Sequence, residues 1–125
     1  MKQTRQEQMD VIKDLSMEIF ENAKAHGFWE DRLSEQATSP IVERGLRAEC
    51  LMLMITELTE AFEDIRNSKK QSDKIPSFTP MEEELADCVI RILDYAGGYG
   101  LALGPAIIAK MRYNKTRPYK HGKEF

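Results

Sequence analysis

Apolar residues repeat with a period near 3.6 in four stretches of the chain, and no stretch sustains the alternation of a half-buried strand. Between Thr4 and Ala25, the residues Met9, Ile12, Leu15, Ser16, Ile19 and Ala23 share one face, charged residues fill the other, and Gly27 offers a C-terminal stop. A second helix is predicted over 40–67, with Pro40 at its first position and Ser39 or Thr38 as N-cap. Thr79, Pro80 and Glu82 form a capping box with proline at N1 and start a third helix, 80–97, which the Gly97, Gly98 and Gly100 cluster ends. A fourth, 105–117, lies between Pro105 and Pro118. The segment NSKKQSDKIPS (67–77) reads as a mobile, lysine-rich linker. The pattern predicts an all-α protein, a single domain over 1–125 built as a bundle of four main helices.

On a helical wheel, Leu51, Ile55, Leu58, Phe62 and Ile65 of the second helix form one apolar stripe, with Glu57 and Glu60 beside it. At i, i+3 spacing those two carboxylates are neighbours, their Cβ atoms roughly 5–6 Å apart. In the third helix every residue from Leu85 to Ala96 is apolar except Asp87, Arg91 and Asp94, which with Glu84 make a single polar seam. If the two helices pack antiparallel, Glu57, Glu60, Glu84 and Asp87 converge. Four uncompensated carboxylates in a partly buried place repel, and a hard divalent cation such as Mg²⁺ or Mn²⁺ resolves the conflict. The plain alternative stays open: an i, i+3 glutamate pair is ordinarily a solvated face, and Asp87 with Arg91 has the spacing of an i, i+4 ion pair.

Composition narrows the classes further. At 125 residues the chain has the length of one domain, typically about 100–150 residues, and 42% hydrophobic content is enough for a core without staples. Cys50 and Cys88 lie amid apolar residues without CxxC spacing, so they read as buried thiols in a reducing compartment. The polar N-terminus has no signal-like apolar region, and no apolar run reaches the roughly 20 residues that span a bilayer, so a cytoplasmic protein without membrane contact is expected. The net charge of −3 conceals an asymmetry: residues 110–125 hold six basic side chains against one acid, the rest twelve against twenty. A short basic tail on an acidic body suits a metal–polyphosphate ligand better than nucleic acid. Gly97, Gly98 and Gly100 follow a helix rather than a strand, so they are no dinucleotide fingerprint. His26 reads as a helix-end cap, and Phe28 and Trp29 as packing anchors.

Three segments, ITELTEAFEDIR (55–66), EELADCVIRILDYAG (83–97) and KMRYNKTRPYKHGKEF (110–125), resemble the MazG-like all-α nucleoside triphosphate pyrophosphohydrolases, in their short single-domain bacterial and phage form. The resemblance runs from about Leu51 to the C-terminus and rests on an ExxE (Glu57, Glu60) followed by an ExxD (Glu84, Asp87). It implies a dimer or dimer of dimers that hydrolyses a nucleoside triphosphate, a dNTP in the first instance, to the monophosphate and pyrophosphate with Mg²⁺, Mn²⁺ being a substitute. By the same resemblance Glu57, Glu60, Glu84 and Asp87 are metal ligands, Glu57 and Glu60 are catalytic, and Lys110, Asn114 and Arg117 bind substrate phosphates. One position departs: many relatives place another glutamate directly before the ExxE, where this chain has Thr56.

Two other classes compete, a catalytically silent module that binds a nucleotide or a partner through the same fold, and a purely structural helical oligomer. Self-association is expected in any case, because the apolar surface of the second and third helices, Met52, Leu53 and Ile90 above all, exceeds what neighbours in so short a chain can cover. Replacing any of the four acids by its amide is expected to leave the fold unchanged or stabilise it, since repulsion is relieved.

Overall fold

The computed structural model describes residues 1–125 and contains four α-helices and no strand. They are α1 (Arg5–Ala25), α2 (Pro40–Arg66), α3 (Pro80–Gly98) and α4 (Leu103–Lys115). A 3₁₀ turn, Glu35–Thr38, and a turn at Tyr119–Gly122 with Lys120 and His121 in the left-handed region were not signalled by periodicity, which a four-residue element is too short to show. The capping box at α3 forms as its sequence requires: the Glu82 amide donates to Thr79 Oγ1 (3.2 Å) and the Thr79 amide to Glu82 Oε2 (2.7 Å). A second capping box, Thr4 with Glu7, starts α1. At the other end of α1, His26 caps as expected, with Nδ1 donating to the Asn22 carbonyl at 2.8 Å.

The central element is α3, with α1 and α2 packed on it and α4 packed on α1. Along α3, Glu84 meets Glu60, Asp87 feels the Glu57 charge and the Cys88 thiol reaches the Met54 carbonyl (3.6 Å), so that steps forward in α3 are steps back in α2. That order of contacts makes α2 and α3 antiparallel.

The glycines at the end of α3 do something other than stop it. Gly97 and Gly98 are helical; the turn out of the helix comes at Gly100, whose φ is +67°. A Cβ at Gly97 would lie 2.5 Å from the Ser16 carbonyl oxygen of α1, and one at Gly98 only 2.1 Å from the Trp29 ring. They are therefore contact glycines, bringing α1 and the indole flush against α3. Trp29 fills the gap: it is 1% exposed, stands edge-on to Phe20 (centroids 5.0 Å apart) and Tyr99 (5.1 Å), and donates from Nε1 to Asp94 Oδ1 at 2.9 Å. Phe28, paired with it as an anchor by sequence, is exposed instead.

The lysine-rich segment after α2 is also more than a loose linker. Ser72 is 2% exposed; its Oγ donates to the Glu83 carboxylate and accepts from the amides of Lys74 (3.2 Å) and Ile75 (3.0 Å). Its own amide donates to the Phe78 carbonyl at 3.0 Å. One buried hydroxyl thus ties the connector to the first turn of α3, a link that polar composition alone does not reveal.

Only 13 of the 125 residues are buried, so much apolar surface remains outside the core. The stripe Leu51, Ile55, Leu58, Phe62 and Ile65 faces outward, Phe62 being 56% exposed, while Cys50, Glu57 and Ala61 are the buried residues of α2. On α3, Leu85, Val89 and Ile92 are likewise exposed. Met52 and Ile90 are exposed as the sequence suggested, whereas Leu53 lines an internal cleft.

Candidate metal centre

A cleft of about 1000 Å³ opens between α1, the loop after it, α2 and α3. Carboxylate oxygens of Glu57, Glu60 and Glu84 all lie within 4.8 Å of one another, so the trio could hold a metal ion. Asp87, one turn beyond Glu84, lines the same cleft and feels the Glu57 charge. Away from the glutamates the lining is mixed: Leu15, Ile19, Leu46 and Trp29 offer apolar surface among the polar groups Glu18, Asn22, Asp31, Arg32, Glu49 and Asp94.

The register of the two helices explains the trio. On α2, i, i+3 spacing puts Glu57 and Glu60 on adjacent turns of the α3-facing edge, and antiparallel packing brings Glu84 opposite Glu60. Glu57 is 6% exposed and its charge is met by Arg91 Nε. Arg91 thus crosses to α2 instead of pairing with Asp87 along its own helix. No cation pairs with Glu60 or Glu84. Burial first, and then the Glu60 charge beside it, push the Glu84 carboxyl up to about 7. Burial and the Glu57 charge raise Asp87 in the same direction, against the pull of Lys74 and Arg91.

Glu84 supplies a test of fit. Its Oε2 is buried without a hydrogen-bond partner, an orphaned acceptor among like charges. Oxygen donors of this kind, two or three carboxylates with room for water, are the set that Mg²⁺ and Mn²⁺ take and that thiophilic metals do not. The residues fit a hard divalent cation.

The remaining assignments separate in space. Lys110, Asn114 and Arg117 lie on or just past α4, outside the cleft; the Lys110 ammonium sits 4.5 Å from the centre of the Tyr113 ring and Arg117 5.9 Å from it. Within one chain they are not brought to the acids. Sequence reasoning passed over Asn22, Arg32 and Lys74, all of which line the cleft and none of which belongs to a local motif. Cys50 also lines it, but burial pushes its thiol up, as for a packing group rather than a nucleophile.

Stability should depend on pH through Glu84. A carboxyl whose pKa is raised by folding binds more protons in the native state than in the unfolded one between about pH 4.5 and 7, so stability falls as pH rises through that window. Glu83, held low by Ser72, acts with the opposite sign at the lower edge of that window, while Asp87 and Asp94, raised by burial, act in the same direction as Glu84. In chelator, the melting temperature should drop by roughly 5 °C between pH 5 and pH 8, and Glu84→Gln should remove most of that drop. A flat profile for the unsubstituted protein would mean that Glu84 is solvated.

Comparison with protein-family models, with curated proteins and with solved structures finds no match. The class is therefore defined by fold and site alone: an all-α protein of four helices with a three-glutamate cluster, two members of which line a cleft.

Proposed function

We propose that this protein hydrolyses nucleoside triphosphates, dNTPs in the first instance, to the monophosphate and pyrophosphate with Mg²⁺ or Mn²⁺, as the MazG-like resemblance implies. The observation that supports this best is the three-glutamate cluster, two of whose members, Glu57 and Glu60, line a cleft that also offers apolar and aromatic side chains. A nucleotide with its metal needs both kinds of surface, carboxylates for the cation and apolar side chains for the base, and about 1000 Å³ is at the upper end of ligand-site volumes, as a triphosphate needs.

In this reading Glu57, Glu60, Glu84 and Asp87 hold the cation. Bound there, it would neutralise charge on the phosphate oxygens and make water a stronger nucleophile. Arg91 fixes Glu57, so this carboxylate keeps one orientation. Glu60 is exposed and has no paired cation, and so is the carboxylate available to accept the proton of the attacking water. Water adds at the α-phosphorus, the bond to the α,β-bridging oxygen breaks, and pyrophosphate leaves. Thr56 takes no part, since its hydroxyl donates back to the Leu53 carbonyl at 2.6 Å.

The protein acts in this reading as a self-assembled dimer or dimer of dimers, with a second copy covering the stripes of α2 and α3. Burying the outer half of each such side chain contributes ~1 kcal/mol, enough in sum for stable association. Phe62→Glu with Ile55→Glu should convert the assembly to monomer by light scattering. A wild-type monomer at tens of micromolar, roughly a working range, would contradict it.

A screen of the common NTPs and dNTPs with Mg²⁺ or Mn²⁺, resolving monophosphate plus pyrophosphate from diphosphate plus phosphate, tests the activity. Nucleotide binding without turnover would favour the silent module; no binding and no metal dependence would favour a structural oligomer.

A further inference from the structure

We infer that Lys74, on the connector between α2 and α3, is a substrate-binding residue whose ammonium contacts the polyphosphate at the rim of the Glu57–Glu60–Glu84 cluster. The assignment rests on the pyrophosphohydrolase reading and adds to it a group that no motif marks.

Geometry is the first support. Lys74 shares the cleft wall with Glu57, Glu60, Asp87 and Arg91, on the acidic side. Its backbone is fixed, because the Lys74 amide donates to the buried Ser72 hydroxyl, which in turn donates to Glu83 at the start of α3. Gln71 closes the same turn by donating to the Pro76 carbonyl at 2.7 Å. A lysine on a freely moving linker would be ordered only at an entropic cost, whereas here the stem begins from a set position.

Chemistry is the second. A polyphosphate bound to the cluster needs cations beyond the metal, and those expected from sequence, Lys110 and Arg117, lie outside this cleft in the chain. Arg91 is committed to Glu57, and Lys69 on the same connector to Asp73 at 2.8 Å. Lys74 makes one long contact: its Nζ is 3.4 Å from Glu83 Oε1, the lysine side chain being 78% exposed and that of Glu83 10%. With its ammonium end reaching into solvent, Lys74 is free to exchange this contact for a charge-assisted bond to phosphate. Glu83 does not lose its partner in the exchange, since Ser72 continues to donate to it.

The test compares wild type, Lys74→Ala and Lys74→Arg, using Mn²⁺ alone and then an α,β-methylene deoxynucleoside triphosphate with Mg²⁺, both by calorimetry, with melting temperatures alongside. Lys74→Ala should weaken analogue binding about ten- to hundredfold, the loss expected for a charge-assisted hydrogen bond. Its Mn²⁺ affinity should be unchanged or higher, because a positive charge beside the carboxylates is gone, and its melting temperature should stay within about 2 °C. Lys74→Arg should recover most of the analogue affinity. Unchanged analogue binding in Lys74→Ala, or a loss that merely tracks a lowered melting temperature, overturns the assignment while leaving the functional reading intact. Failure of the wild type to bind the analogue at all overturns both.

Discussion

Glu84→Gln is expected to abolish nucleotide hydrolysis while raising the melting temperature of the metal-free protein. Glu84 holds the most perturbed carboxyl of the cluster, pushed up to about 7 by burial and by Glu60, and one of its oxygens has no partner. Without metal, an amide there removes repulsion and replaces a costly buried charge. With metal and substrate, it removes a ligand whose charge is required, and kcat/KM should fall at least ~100-fold, about 2.7 kcal/mol at 1.36 kcal/mol per tenfold. Opposite signs on stability and activity are the signature of a functional charge cluster. Glu57→Gln should behave differently, and here the structure corrects the expectation that all four amides would be tolerated. Glu57 is buried and is the partner of Arg91, so its substitution leaves a guanidinium unmatched and should cost roughly 1–3 kcal/mol of stability as well as the activity. If Glu84→Gln melts lower than wild type in chelator, Glu84 is a structural group and the metal reading is wrong.

Gly98→Ala should produce the largest stability loss of any single-methyl change in the chain. The added carbon would stand 2.1 Å from the ring of a tryptophan that is enclosed and hydrogen-bonded to Asp94. The indole cannot yield without losing that bond and its contacts with Phe20 and Tyr99. Overpacking of this kind costs about 3 kcal/mol, or a melting-temperature drop of roughly 10 °C. Because Trp29 is the single tryptophan, its fluorescence reports the displacement directly. Gly100→Ala serves as the comparison: it meets open space and is opposed only by the positive φ, at about 1 kcal/mol. Equal effects at the two positions would show that the indole is not seated on Gly98.

Much of this architecture was legible in the sequence because it depends on local chemistry. Helix starts at Thr79–Pro80 and Ser39–Pro40, the 3.6-residue periodicity and the i, i+3 acid pairs are encoded within a few residues of one another. The convergence of Glu84 on Glu57 and Glu60 followed once antiparallel packing was assumed. What local pattern could not supply was the partner of each face. The stripe from Leu51 to Ile65 has the look of a core face, yet it points outward, and the face that packs on α3 is marked by Cys50, Glu57 and Ala61. The same blindness made Gly97 and Gly98 look like a stop: a glycine needed for close approach and one needed for a turn are the same letter, and only the neighbour distinguishes them. Ser72 and Lys74 were hidden in a polar run because their partners, Glu83 and the cleft wall, lie on another element.

Hydrolysis of a deoxynucleoside triphosphate in ¹⁸O-labelled water, followed by mass analysis of the products with Mg²⁺ and with excess chelator, tests the central claim most directly. The expected result is label in the monophosphate, none in the pyrophosphate, and no reaction in chelator, as the proposed metal-dependent attack at the α-phosphorus requires. Label in inorganic phosphate or pyrophosphate, or turnover that persists in chelator, would contradict it.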